Sequence, residues 1–397
     1  MQAARDIKRS SVTMAHVPLL LLLSMSILSV ISGTLQIDDY IWHIKKVPLV
    51  VSKRTLSLEN PKFSAEAIDE LNGTCGIECQ RSMPMPTLTD LEENFSYETM
   101  YENGTRTLTE VLVRGVDIQT EYELTTNTVH SRRKRQVYGL DSRFSISDKQ
   151  FITKFPFNTA VRISTGCTGI LVSPKHVLTA AHCIHDGNDY LKSAKKLRVG
   201  VMKLRTKRSN KKRKGKGKRS KRPKRDVDPK PSFQWTRVKH TQIPKGWFKG
   251  LTDNVGVDYD YAILELKRSQ KQKHMELGIS PPFKKMPSGR IHFSSFDDDR
   301  PGLIVYRFCS ISDESSDLVY QHCDAQAGSS GSGMYIRLKE PGEKKWKRKI
   351  IGVFSGHQWV NVSGVQQDYN VGVRITPLKY AQICFWIRGN YADCQVG

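Results

Sequence analysis

From about residue 150 onward, apolar residues come in short runs set apart by Gly, Pro, Asp and Ser. Examples are AVRIS, TGILVS, HVLTAA, YAILEL, LIVYRF, GMYIRL, KIIGVFS and VGVRIT. β-Branched and aromatic side chains fill these runs, and many short strands between turn signals predict an all-β sandwich or barrel. One segment has strong helical texture. In TPLKYAQICFWIRGNY, Pro377 suits a first turn, and Leu378, Ile383, Phe385, Trp386 and Ile387 supply apolar contacts. Residues 34 to 135 have few long apolar runs and predict a poorly structured pro-region. No internal repeat is evident.

The amino terminus follows a different pattern. Arg5, Lys8 and Arg9 precede the apolar run VPLLLLLSMSILSVI from Val17 to Ile31, and Ser32 and Gly33 follow. That order of cationic, apolar and small residues predicts a signal peptide over residues 1–33. The alternative is a membrane anchor, but the run falls short of the roughly 18 to 20 residues that span a bilayer, so no stable membrane span is expected. Eight cysteines, an even number, fit an oxidising compartment. N-x-S/T sequons at Asn72, Asn94, Asn103 and Asn361 fit it too, three of them inside the pro-region. The expected location is extracellular.

Charge sharpens this picture. The 63 Lys and Arg against 39 Asp and Glu give a formal charge of +24, and 15 of the cations lie in the stretch Lys203–Arg225. Such a block repels itself and stays extended. In a secreted chain its reachable partner is heparan sulfate, another polyanion or an acidic membrane surface; nucleic acid is not expected. The plainer alternative is a solvated loop with no dedicated partner. A second basic run, Arg132-Arg133-Lys134-Arg135, sits where composition changes and matches the preference of a furin-type processing protease; cleavage after Arg135 would expose Gln136. Similar R-x-K-R tetrads at Arg219–Arg222 and Arg222–Arg225 would let the basic loop be nicked as well.

The stretch CDAQAGSSGSGMY, Cys323 to Tyr335, is by composition a flexible linker, yet it also satisfies G-x-S-G around Ser330. Two other segments bear on the choice. GCTGILVSPKHVLTAAHC places His182 after an apolar strand, bracketed by Cys167 and Cys183, and DYDYAILEL puts Asp260 at the start of another. Serine needs a base within about 3 Å, and a histidine base needs a carboxylate to fix its tautomer. Singly, a core-edge histidine, a turn aspartate and a linker serine are all ordinary. Together, in the order His, Asp, Ser, they point to nucleophilic catalysis.

Across residues 136–397 these segments resemble the chymotrypsin-like, or trypsin-fold, serine proteases. LTAAHC is the most specific match, DYAILEL a good one, and GSSGSG departs from the usual G-D-S-G-G-P. The resemblance implies two six-stranded antiparallel β-barrels with a C-terminal helix. It implies His182, Asp260 and Ser330 as a catalytic triad, and the amides of Gly328 and Ser330 as an oxyanion hole. Ser355 in GVFSGH matches the serine that supports the aspartate and backs the specificity pocket, with Gly356 and His357 beside it. Asp324 lies six before Ser330, where trypsin-type enzymes keep the acid that binds basic side chains. Ser329 replaces the aspartate that receives a newly released amino terminus, and no Ile-Val-Gly-Gly follows Arg135. Closeness in sequence pairs Cys309 with Cys323 and Cys384 with Cys394, although eight cysteines allow 105 pairings. No metal motif or cofactor is indicated. Two functions follow: a secreted endopeptidase acting on protein or peptide substrates, or an inactive pseudoprotease that binds polyanionic matrix through its basic loop.

Overall fold

The computed structural model describes residues 47–68, 77–116, 141–205, 230–248, 256–280, 290–339, 344–362 and 364–395. The N-terminal part contributes β1 (Leu49–Leu58), α1 (Ile77–Ser82), α2 (Leu88–Phe95), β2 (Tyr97–Tyr101) and β3 (Arg106–Arg114). A connecting strand β4 (Phe144–Ile146) and a one-turn helix α3 (Lys149–Ile152) lead into the body.

Strands β5 (Ala160–Ile163), β6 (Thr168–Leu171), β7 (His176–Thr179), β8 (Arg198–Arg205), β9 (Lys230–Pro244) and β10 (Ala262–Leu266) form the first barrel. Their order is β9-β10-β7-β6-β5-β8, and a β8–β9 ladder closes it into six antiparallel strands. After β11 (Glu276–Leu277), a second set comprises β12 (Arg290–Ser295), β13 (Ile304–Glu314), β14 (Leu318–Gln321), β15 (Gly333–Lys339), β16 (Trp346–Val362) and β17 (Val365–Arg374). Their order β16-β15-β12-β13-β14-β17 is closed by a β16–β17 ladder, giving the second six-stranded barrel. Closure removes the open edges that a flat sheet of such short strands would expose.

The chain ends in α4 (Pro377–Arg388), where sequence pattern placed the helix. Thr376 caps it by accepting from the Lys379 amide, Pro377 occupies the first turn, and Gly389 stops it at φ +73°. Disulfides join Cys167 to Cys183, which bracket His182, and the two pairs expected from closeness in sequence, Cys309–Cys323 and Cys384–Cys394. Cys79 is also disulfide-bonded.

The stretch from Leu49 to Arg114 departs from the expectation of a poorly structured pro-region. β1, β3 and β2 form a three-stranded ribbon, and β2 adds to β9 in antiparallel register from Tyr97 opposite Pro244 to Tyr101 opposite His240. β9, at 15 residues, is long enough to pair with β8 near its start and β2 near its end. Leu91, Phe95, Met100, Val111 and Val113 are buried in the core that also holds Ile243 and Trp386. Phe95 meets Tyr259 edge-on at 5.5 Å, and Tyr97 meets Trp386 at 5.3 Å. Sequence reading missed this because β3 buries Thr109, Val111 and Val113 with Glu110 and Leu112 between them, so its apolar run is only three residues long. Its stabilisation comes from this burial and from backbone pairing with the end of β9 that lies beyond the β8–β9 ladder. Within this part, Asn94 is half-buried on α2, while Asn103 is exposed in the β2–β3 turn; Asn361 lies on β16.

Asn72, the run Val17–Ile31, the tetrad before Gln136 and residues 206–225 of the basic loop lie outside the described residues. Among the described residues no helix is long and apolar enough to cross a membrane.

Because β2 is an added strand of the first barrel, a chain cut after Arg135 is expected to stay in one piece. The two fragments will co-elute in native gel filtration and separate in denaturant without reductant, since the three placed disulfides all lie after the cut and Cys75 and Cys79 both lie before it. Separation under native conditions would contradict the added-strand packing.

Candidate active site

His182 follows β7 in a tight turn in which the amides of Ile184 and His185 both donate to the Ala181 carbonyl. The small, fully buried Ala180 and Ala181 let this turn press against the barrel. Cys183 ties it to Cys167, the residue before β6. Asp260 comes from the other side, between a 3-10 turn at Gly256–Tyr259 and β10. The β10–β7 register, Ala262 opposite Thr179, brings it under the histidine.

The Asp260 carboxylate is fully buried and accepts three kinds of hydrogen bond. The His182 backbone N–H donates to Oδ1 at 2.9 Å, His182 Nδ1 meets Oδ2 at 2.7 Å, and the Ser355 hydroxyl donates to Oδ2. Burial alone would raise this carboxyl. The charge of His182 and the hydrogen bonds from His182 and Ser355 outweigh burial and hold it below the ordinary aspartate range. Ser355 reaches it from a bulge: across β16–β17, Phe354 pairs with Gly372 and Gly356 with Val371, so Ser355 is the unpaired extra residue.

Ser330 lies on the turn before β15, half-exposed. Thr168 at the start of β6 holds this turn: its amide donates to the Ser330 carbonyl at 2.9 Å and its hydroxyl to the Gly328 carbonyl at 2.8 Å. The same hydroxyl accepts from the Phe296 amide at 3.0 Å. With both carbonyls tied back, the amides of Gly328 and Ser330 are left without a partner among the described residues, as an oxyanion hole requires. Gly331 makes the turn possible. It sits at φ +81°, and a Cβ there would lie 2.1 Å from Thr179 Oγ1.

The serine is not joined to its base. No hydrogen bond links Ser330 Oγ to His182 Nε2 among the described residues; the polar neighbour of Nε2 is Cys183 Sγ at 3.8 Å. The sulfurs of Cys167 and Cys183 converge on His182 as a metal site might, but they are spent on each other.

Other predicted positions are placed differently. Ser329 caps its own turn, donating to the Gln326 carbonyl at 2.6 Å. Asp324 is buried, and its Oδ2 accepts from both the amide and the hydroxyl of Ser142 at 2.7 Å. His357 is buried against Asp368 on the neighbouring strand, and Gly356 lies between it and Ser355.

Sequence reading missed Thr168 and the ionic cluster behind the loop. Gly328 backs onto the Phe296 carbonyl and Asp298. That loop is clamped by Arg162, which reaches the Phe296 carbonyl and Asp298 Oδ1, and by fully buried Arg307 and Asp297 at 2.6 Å. Arg143 adds bonds to Asp297 at 2.9 Å and Asp299 at 2.7 Å. Arg162 and Arg143 reach partners more than 130 residues away, a separation at which no local pattern signals a pair.

A trypsin family model matches residues 147–290. The chain is 58% identical to inactive serine protease 35 of Mus musculus over 384 residues, covering 90% of this chain and 94% of that one. It is 49% identical to serine protease 23 of Homo sapiens over 393 residues, covering 97% and 100%. A solved Glu endopeptidase is 18% identical with a TM-score of 0.44, covering 64% of this chain and all of that one, too distant to add to these. The chain therefore belongs to the trypsin-like serine protease family, in the branch that holds serine proteases 35 and 23.

Three outcomes test this geometry. Thr168→Val removes two buried hydrogen bonds and is expected to lower stability by about 2 kcal/mol in urea unfolding; an unchanged midpoint would rule out the clamp. Gly331→Ala combines a backbone strain with a clash and should cost more than Thr168→Val in the same assay. Asp141 is held down at about 2, first by its hydrogen bond from Arg143. Its folded value lies below the unfolded one near 4, so its contribution is complete above about pH 4 and is lost as pH falls to about 2. In Asp141→Asn, that part of the acid transition should be absent.

Proposed function

We propose that this chain is a secreted, catalytically silent trypsin-fold protein that binds polyanionic extracellular matrix. The observation that carries the first half is the uncoupled serine: His182 is oriented by Asp260, yet its Nε2 makes no hydrogen bond to Ser330. Without that bond the hydroxyl stays at its ordinary, feeble nucleophilicity. Relatives 56–58% identical carry the name inactive serine protease 35, which supports the same reading. For the second half, β8 and β9 pair from Arg198 opposite Arg237 to Arg205 opposite Lys230, and the basic stretch Lys203–Arg225 begins within the last residues of β8. The signal peptide over 1–33, glycans on the four sequons, and processing after Arg135 by a furin-type protease complete this reading of a pro-region followed by a trypsin-fold body.

Endopeptidase activity is the second reading, and one observation favours it: Ser330 is a serine, flanked by free amides at Gly328 and Ser330 and facing a built His182–Asp260–Ser355 system. Loose serine–histidine contacts in an empty site also tighten in some enzymes when substrate binds.

A peptide library incubated with purified protein, intact and cut after Arg135, separates the two. The silent reading expects no cleavage above that of Ser330→Ala; cleavage abolished by Ser330→Ala would establish the peptidase. For the loop, deletion of residues 203–225 should lower the salt at which the protein leaves heparin, and an unchanged elution salt would remove its role.

A further inference from the structure

The outer face of the second barrel carries a feature the catalytic geometry does not use. On β12, β13 and β15, His292 pairs with both Phe308 and Tyr335, so these rings share one face. The His292 ring stacks with Tyr335 at 5.4 Å and with Tyr306 at 6.0 Å. Two residues along on the same face lie Arg290 of β12 and Arg337 of β15, and Arg337 is directly opposite Arg348 of β16. Three arginines thus form a row across three adjacent strands, with steps of about 4.8 Å between strands. Each guanidinium rests on an aromatic ring: Arg290 on Phe308 at 4.9 Å, Arg337 on Trp346 at 5.3 Å, and Arg348 on Phe155 at 5.7 Å.

Among the described residues, none of these three is paired with a carboxylate. Like charges placed opposite one another on a sheet repel, and among the described residues no carboxylate offsets that cost. Burial first, and then the charges of Arg337, Arg348 and Arg290, push His292 down to about 4. Arg290 and Arg337 are exposed, as is Trp346, and Arg348 is half-buried, so solvent reaches most of the row.

We infer that the row Arg290–Arg337–Arg348 is a binding face for a sulfated polysaccharide. The outward face of three adjacent barrel strands suits an extended chain and not a compact ligand. Planar guanidiniums pair with sulfate and carboxylate oxygens in bidentate fashion, and the ring edges beside them offer apolar surface to sugar rings. The three disulfides place the protein in an oxidising compartment, where sulfated polysaccharide is the available polyanion. This face shares its ligand class with the 203–225 loop but none of its residues, and it stands if the loop proves inert.

The test is heparin chromatography of four full-length forms: the natural protein, the 203–225 deletion, Arg290→Gln/Arg337→Gln/Arg348→Gln, and the two combined. Deletion of the loop is expected to leave measurable retention. The triple change on that background should abolish most of what is left and flatten the dependence of log affinity on log salt by about two to three. Trp346→Ala on the same background should also lower the elution salt. Thermal midpoints identical to the parent confirm folding. Equal elution of the loop-deleted protein with and without the triple change would overturn the proposal. So would equal retention on heparin and on de-O-sulfated heparin. Loss of binding to phosphatidylserine vesicles or single-stranded DNA in the triple variant, with heparin binding intact, would assign the face to another partner and overturn it too.

Discussion

The buried carboxylate of Asp260 is the interaction on which the site depends. A charge so fully removed from water is tolerable only when donors surround it, and here they come from both barrels: His182 twice from the first, Ser355 from the second. The constraint reaches outward from there. The His182 turn must be fixed, which the Cys167–Cys183 bridge does, and the β16 strand must be kinked so that Ser355 points back. Losing any donor leaves a buried acceptor unmatched, so the pieces hold together as a unit.

The turn that carries Ser330 is held by separate means. Thr168 hangs it from the first barrel through two carbonyls, and the loop at 296–299 supports it from behind through Arg143, Arg162 and Arg307. None of these bonds uses a free amino terminus, which agrees with Ser329 standing where an acid would receive one. Arg143 is an internal residue, so its contacts with Asp297 and Asp299 do not require a cut at Arg135. The same segment also fills the acid at Asp324 through Ser142.

Much of this was legible in sequence because the signals were local. The short apolar runs, the capped terminal helix and the close cysteine pairs each fall within about twenty residues, and LTAAHC and DYAILEL carry the histidine and aspartate in recognisable frames. What stayed hidden was long-range. The β2 strand, seated on β9 about 140 residues later, reads in isolation as polar and featureless. Thr168 is one threonine among many until the Gly328 and Ser330 carbonyls arrive beside it. Arg143, Arg307 and Asp297 are individually unremarkable charges, and burial with one another is a property of the folded chain alone. Whether Ser330 meets His182 turns on ångström-scale placement that no motif encodes.

The uncoupled serine is therefore the point to measure, with a fluorophosphonate probe that reacts only with a serine activated by its base. Applied to the purified protein, intact and cut after Arg135, beside His182→Ala and Ser330→Ala, it should give no labelling above the two variants. Labelling of the natural chain that disappears in both variants would mean that Ser330 and His182 act together in solution, and the silent reading would be wrong.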